Sequence, residues 1–284
     1  MAQWYLFLPQ IRFGMGEIVE RALVAEDAGF DGIAFIDHLR APGAEQQPLW
    51  EAMTVATWVA ARTERLRIGH LVLCDALRHP AVLAKQAVTL QQASGGRFEL
   101  GVGSGSVPEE LSRFGIGHEA GPARTARLER TLSMLPRMWA DGDDLSLAPV
   151  PSPAIPIVIG GAGPATMDLV RRYADWWNLP VNRLDRLAAL RGSAGTARVS
   201  TQQTVGFIGR DADPDRVRER SRRRFGYLAA GLVCGDAAEL TAHFIALNRR
   251  GVERFYVWFT DFADPETLAE FGRSVIGATA FAQR

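Results

Sequence analysis

Short apolar runs rich in β-branched and aromatic residues alternate with longer amphipathic stretches along the whole chain, the pattern of βα units on a parallel sheet. The runs predict strands at Trp4–Leu8, Gly32–Ile36, Leu66–Leu73, Arg97–Val102, Ile155–Ile159, Asp175–Asn178, Thr201–Ile208 and Arg254–Phe259. Between them the 3.6-residue periodicity predicts helices at Glu17–Ala28, closed by Gly29 as a C-terminal cap, then Leu49–Ala61, Ala81–Ala93, Pro122–Trp139 and Pro164–Ala174. Eight strands in this rhythm suggest closure into a (β/α)8 TIM barrel. The 284 residues agree with one such barrel, whose usual size is roughly 250. A single domain, residues 1–284, is therefore expected.

Two segments depart from the rhythm. Asp141–Pro156 is rich in Asp, Pro and Ser and reads as a surface connection. Arg210–Cys234 is arginine-rich, helical in part and longer than a barrel needs; it reads either as a lid inserted over the mouth or as a solvated surface helix. No short repeat or low-complexity tract stands out.

Composition narrows the partners. Nearly half of the residues are apolar and the formal net charge is zero, so no broad field gathers nucleic acid or an anionic membrane. A small-molecule substrate is the expectation, with neither nucleic acid nor membrane as partner. Lys85 is the single lysine, and the scattered arginines fit the codon bias of a GC-rich genome better than a phosphate cluster. The cysteines, Cys74 and Cys234, match no metal or redox spacing and suit a reduced compartment. With no basic leader before Pro9 and no apolar run of membrane-spanning length, a cytoplasmic protein is expected.

Barrel active sites collect where the strands end. After the second strand stand Asp37 and His38; after the third, Cys74-Asp75 and Arg78-His79-Pro80; after the fourth, Gly103, Ser104, Gly105 and Ser106; after the fifth, Gly160, Gly161, Ala162 and Gly163. An imidazole exchanges protons near neutral pH, and a neighbouring carboxylate orients a ligand or a ring N–H, so His38 is the candidate catalytic residue. An Asp-His pair is equally at home as a structural cap. The glycines of Gly103–Ser106 admit close approach of a flat ligand or merely a turn; Ser106 and Pro108 break the dinucleotide fingerprint. Gly160-Gly161-Ala162 precedes a helix opened by Pro164, where exposed N–H groups and the helix dipole favour a phosphate.

Other chemistries fit less well. His38, His70, His79, Asp37 and Asp75 raise a metal-dependent hydrolase, but the first strand ends Leu8-Pro9-Gln10 with no His-x-His, and the later strands offer no third ligand, so no metal is expected. Cys74 as a nucleophile is weaker still, and no G-x-S-x-G elbow is present.

Together the blocks Ala25–Ile33 with Asp37-His38, Arg78–Gln86 leading through Ser94–Gly103, Pro156–Ala162 with Tyr173–Asn178, and Arg249–Phe255 resemble the bacterial luciferase-like monooxygenase superfamily. Members use reduced FMN, usually to activate oxygen, or coenzyme F420, a deazaflavin that passes hydride. This chain is more similar to the F420 branch. The resemblance implies an oxidoreductase that moves hydride to or from a small organic substrate. His38 would transfer a proton there, and Asp37 would lie against the deazaflavin, with Ile36 where the family has serine. It further implies a non-proline cis peptide in the third strand, which counting back from Pro80 places at His70-Leu71, behind the cofactor ring. The ring would be bordered by His70, Leu71, Gly103, Ser104, Gly105 and Ser106, and the phosphate tail by Gly160, Gly161 and Ala162. The family's sugar-phosphate dehydrogenases carry a catalytic glutamate where Ser106 stands, a departure that speaks against the same substrate; Glu109, a turn later, reads as a substitute or, more readily, as a surface residue. Two readings compete: an FMN-dependent two-component monooxygenase served by a flavin reductase, and a non-catalytic flavin-binding relative. Relatives are often homodimers, which extends to this chain as an expectation.

Overall fold

The computed structural model describes residues 2–117 and 119–282. Strands are β1 (Gln3–Phe7), β2 (Gly32–Phe35), β3 (Arg67–His70), β4 (Leu73–Cys74), β5 (Leu100–Gly103), β6 (Ile157–Gly160), β7 (Trp176–Asn178), β8 (Arg198–Phe207), β9 (Leu232–Gly235) and β10 (Arg254–Phe259). Helices are α1 (Met15–Asp27), α2 (Ala52–Ala60), α3 (Pro80–Ala93), α4 (Pro108–Arg113), α5 (Gly121–Met138), α6 (Pro164–Tyr173), α7 (Leu187–Arg191), α8 (Pro214–Phe225), α9 (Ala237–Arg249) and α10 (Pro265–Phe271). All ladders are parallel, in the order β3-β2-β1-β10-β8-β7-β6-β5-β4. A bridge between Ile68 and Phe98 joins the two ends. Since β3 and β4 are halves of one interrupted strand, the ring has eight staves, as the alternating pattern predicts.

The predicted helices recur within a few residues. Gly29 ends α1 at φ +86°, the left-handed turn that glycine tolerates. Residues 139–156 run without helix or strand. Several elements lie outside the predicted set, among them α4, α7, α9, α10 and β9. β9, within the arginine-rich stretch, pairs with Thr204–Phe207 of β8, and α4 follows the fourth-strand glycines.

Several residues of the resemblance blocks serve the barrel's frame. Glu26 accepts the N–H groups of Glu64, Arg65 and Leu66, holding the chain that enters β3. Asp31 accepts the N–H of Trp4 at 2.6 Å. Arg97 donates to the carbonyls of Ala60, Thr63, Leu66 and Ser94, closing the end of α2. These charge-assisted bonds fix strand entry points far from the mouth.

The cis peptide is Leu71–Val72, one bond beyond the His70-Leu71 expectation. His70 does not line the mouth. Its side chain, 1% exposed, packs against the rings of Phe35 and Phe98 and reaches the carbonyl of Ala52 with Nε2 at 3.2 Å. Leu71 does line the mouth.

Burial depresses the pKa of His70 to about 4, against the pull of Asp37. An unfolded chain binds a proton there near 6.5. Between these values the unfolded state holds more protons than the folded one, so stability is full above the window and falls as pH drops through it. The loss levels off near roughly 3 kcal/mol below pH 4. Urea unfolding midpoints measured across the window are expected to show this slope, and His70→Leu to flatten it; an unchanged slope in the variant contradicts the assignment.

Candidate active site

The strand ends surround a two-lobed cavity. The first lobe, about 290 Å3, is lined by Asp37, Val72, Cys74, Gly103–Val107, Glu110, Gly160, Gly161 and Asn178. The second, about 440 Å3, is walled mainly by apolar and aromatic side chains of the β1, β10 and α8 ends. Ile36, His38, Leu71 and Gln202 belong to both walls, so His38 stands at their junction.

The path to His38 is built by Gln10. This residue, buried just beyond β1, donates to the carbonyls of Ile36 and Trp50 and accepts the N–H of Ile36. The chain leaving β2 is thereby held on both sides of Ile36, which sets where the next two side chains emerge. Asp37 turns toward β4: its carboxylate accepts the N–H of Cys74 at 2.7 Å and two N–H groups of Arg78 at 2.6 and 2.9 Å. Such a fork-on-fork pair is geometrically restrictive. Arg78 also reaches Glu51, at 2.6 Å. Burial works against the charge of Arg78, yet Asp37 and Glu51 raise its pKa above the ordinary value. Glu51 is held at about 2 in spite of burial by its bonds to Thr54 and Arg78. Asp37 thus borders the cavity but its oxygens are occupied by the protein.

His38 has a different partner. Its Nδ1 lies 3.0 Å from Oε2 of Glu110, while Oε1 of the same carboxylate accepts the N–H groups of Leu39 and Arg40 at 2.9 Å each. A carboxylate can only accept, so in the neutral ring the proton sits on Nδ1 and Nε2 is the acceptor. One glutamate fixes both the loop after β2 and the ring it carries. Glu109 borders a small crevice together with Glu110 and Arg113, and it is Glu110, one residue on, that meets His38. Glu110 comes from α4, opened by Pro108 at its first turn.

The predicted glycines divide by role. A Cβ on Gly101 would come 1.8 Å from the carbonyl of His70, and one on Gly103 would come 2.7 Å from Val72. Bare backbone is required there by the chain that runs between β3 and β4. Ser104, Gly105 and Ser106 line the first lobe. At Gly160 a Cβ would meet nothing nearer than Asn178 at 3.8 Å, so the space beside it is cavity. Gly161 is less available than its motif suggests, since its N–H donates to Asn178 and its carbonyl accepts from Trp177 Nε1. Any anion here would meet later amides in the α6 first turn, which has no side-chain cap. Ala162 faces a separate groove beside Arg171 and Arg186 rather than the first lobe.

The histidines and acids of the hydrolase alternative are dispersed. His79 caps α3 through Ala81 N–H, His70 faces Ala52, and Asp75 pairs with Arg127 at 3.1 Å. Among the described residues no group of three such side chains could hold a metal. Burial raises the pKa of Cys74, which keeps it a thiol.

Glu110, Asn178 and Gln202 were missed as cavity residues. The one visible signal was the polar run Ser200–Thr204, odd in a parallel strand that should read apolar. Ser200 donates to Asn178 Oδ1 at 3.2 Å, leaving its amide nitrogen for the cavity.

A parallel βα barrel whose strand ends enclose a histidine between a glycine-lined and an apolar lobe is a fold with its site in the usual place. Residues 7–194 match the luciferase-like monooxygenase family, and the chain belongs to that family. An F420-dependent glucose-6-phosphate dehydrogenase from Microbacterium testaceum is 32% identical over 176 residues, covering 58% of this chain and 52% of its own. The enzyme of that name from Nakamurella multipartita is 31% identical over the same shares. The chain therefore matches about half the length of these curated relatives. Among solved structures, an F420-dependent secondary alcohol dehydrogenase in complex with an F420-acetone adduct superposes with a TM-score of 0.82 at 18% identity, over 98% of this chain and 99% of that one. Riboflavin lyase with modified FMN also gives 0.82, at 13% identity over 100% and 92%. At these identities the likeness establishes the shared fold.

Proposed function

We propose that this chain is a coenzyme F420-dependent oxidoreductase acting on a small organic substrate, with His38 as its proton-handling group. The observation that carries the reading is the position of the His38–Glu110 pair on the wall common to both lobes. The names of the relatives at 31–32% identity supply the cofactor class.

The first lobe suits the cofactor. Its walls at Gly103–Ser106 and Gly160 combine bare backbone with two hydroxyls, and the empty volume beside Gly160 is what a side chain would otherwise fill. Bound there, coenzyme F420 supplies two-electron hydride exchange; that chemistry is the cofactor's own. The chain supplies position and a proton path. Leu71 and Val72 form the apolar floor, and Asn178 and Gln202 offer amides to polar edges. His38 presents Nε2 toward a substrate in the second lobe, where it takes a hydroxyl proton as the substrate is oxidised or returns one as it is reduced. Glu110 holds the ring in that tautomer and steadies the positive charge when the proton arrives. The second lobe, lined by Phe7, Trp258 and Phe259 among others, keeps water from the reacting carbon.

Titrating the protein with coenzyme F420 and with FMN, and following tryptophan fluorescence, tests the assignment. Saturable quenching by coenzyme F420 at micromolar concentration, with FMN much weaker, is the expected result. Tight FMN binding with no response to coenzyme F420 overturns it in favour of a reduced-FMN monooxygenase that needs a separate flavin reductase.

A further inference from the structure

The second lobe holds more than apolar surface. Its lining includes two guanidinium groups, Arg12 and Arg224, and no carboxylate. Both pack on one ring: the Arg12 guanidinium lies 4.2 Å and that of Arg224 4.7 Å from the centre of Phe262. Arg224 is anchored by donating to the carbonyl of Thr260 at 2.9 Å. Arg12 is placed by its backbone, at φ +69° with its N–H on Pro48. No ion pair is formed by either residue among the described residues, although many of the chain's arginines have one, as at Arg78, Arg127, Arg172 and Arg254. Further cations gather behind them, since Arg220 and Arg223 also repel Arg224. Asp261 attracts Arg224 but one of its oxygens is taken by Thr267 at 2.8 Å, and it does not line the lobe. Two cations brought to one ring repel each other, and no carboxylate in the wall offsets that repulsion. An anion arriving between them would.

We infer that the second lobe takes an amphipathic anion: a substrate with an apolar body, lying along the aromatic wall toward His38, and one carboxylate, sulfonate or phosphate held by Arg12 and Arg224. This rests on the reading of the lobe as the substrate side of an F420-dependent site. The two arginines lie outside the wall shared with the glycine-lined lobe, so their anion is assigned to the substrate and not to the cofactor's tail. The aromatic wall, Phe7, Phe13, Phe225, Tyr227, Trp258 and Phe259, disfavours the polyhydroxyl body of a free sugar phosphate.

The test compares phenylbutyrate with its neutral isostere phenylbutyramide, by calorimetric titration of the whole chain. The expected result is that the acid binds roughly tenfold tighter than the amide, the scale of a charge-assisted bond partly exposed to water. In Arg12→Gln/Arg224→Gln the two ligands become equal, and Arg12→Gln alone, at an exposed position, removes part of the difference without loss of fold. Equal affinities in the unaltered chain, or a preference that survives in the double variant, overturn the inference. Coenzyme F420 binding is measured alongside. If the double variant weakens the cofactor and leaves the acid-to-amide ratio unchanged, the arginines serve the tail and the inference fails. If coenzyme F420 does not bind at all while the ratio behaves as expected, the anion site stands and the cofactor assignment falls.

Discussion

Glu99→Leu is expected to lower the unfolding free energy by roughly 3–5 kcal/mol, the cost of breaking a buried ion pair from one side. Glu99 and Arg254 are 2% and 1% exposed and meet inside the barrel at 2.7 Å and 3.1 Å. Tyr5 donates to the same carboxylate at 3.0 Å, and Arg67 approaches it at 3.2 Å. The guanidinium of Arg254 lies 3.6 Å from the ring centre of Trp176 and 4.1 Å from that of Tyr5. The cluster therefore fills the barrel's interior at the end opposite the mouth, where a β/α barrel ordinarily stacks branched aliphatic residues. Removing Glu99 leaves Arg254 charged and dry, with Gln3 Oε1 and the Tyr256 hydroxyl as its remaining acceptors. Urea unfolding measures the loss as a shifted midpoint at constant slope. The double variant Glu99→Leu/Arg254→Met is expected to regain much of the stability, since an apolar pair of similar volume avoids burying charge. A single variant within about 1 kcal/mol of the parent contradicts the account.

The barrel was legible because its signal is repeated: each apolar run is a stave buried on both faces, and each amphipathic stretch the helix that covers it. What the pattern cannot carry is detail within a stave. Nothing apolar or polar distinguishes a cis bond at Leu71–Val72 from one a residue earlier, and nothing marks Val72 rather than His70 as the residue that borders the cavity. β9 was hidden because Leu232–Gly235 is short and follows an arginine-rich helix.

The site was legible where function sits directly after a strand. His38 and the glycines at 103, 105, 160 and 161 were found in that way, and all line the first lobe. The partners of those residues were not, because they come from distant chain. Glu110 meets His38 across 72 positions and Arg78 meets Asp37 across 41. A pair such as Asp37-His38 suggests that the two side chains act on each other. In the folded chain they diverge, Asp37 to an ion pair with Arg78 beside the β4 turn and His38 to a hydrogen bond with Glu110 of α4.

That divergence makes His38→Ala and Glu110→Gln separable in effect. His38→Ala is expected to reduce kcat for coenzyme F420-linked turnover by about 100- to 10,000-fold, the contribution of a positioned general acid or base. The stability change should be small, because the ring lines a cavity and its one bond is to a carboxylate that keeps two backbone partners. Cofactor affinity should also change little, as the first lobe's glycine walls are untouched. Glu110→Gln is milder and diagnostic. The amide oxygen still accepts the N–H groups of Leu39 and Arg40, so the loop persists, while the charge that orders the ring is gone. A kcat loss of roughly tenfold or more with little change in KM is expected, because the interaction lost matters most when His38 carries its extra proton. Nitrogen NMR of labelled histidine should show the Nδ1–H tautomer of His38 in the parent and a shift toward the Nε2–H tautomer in the variant, where the amide NH2 that faces the ring can only donate. Full activity in His38→Ala, measured with a substrate that the parent turns over, removes the proton role from this residue. The same turnover in Glu110→Gln, with the tautomer unchanged, leaves Glu110 a brace for the loop after β2 and nothing more.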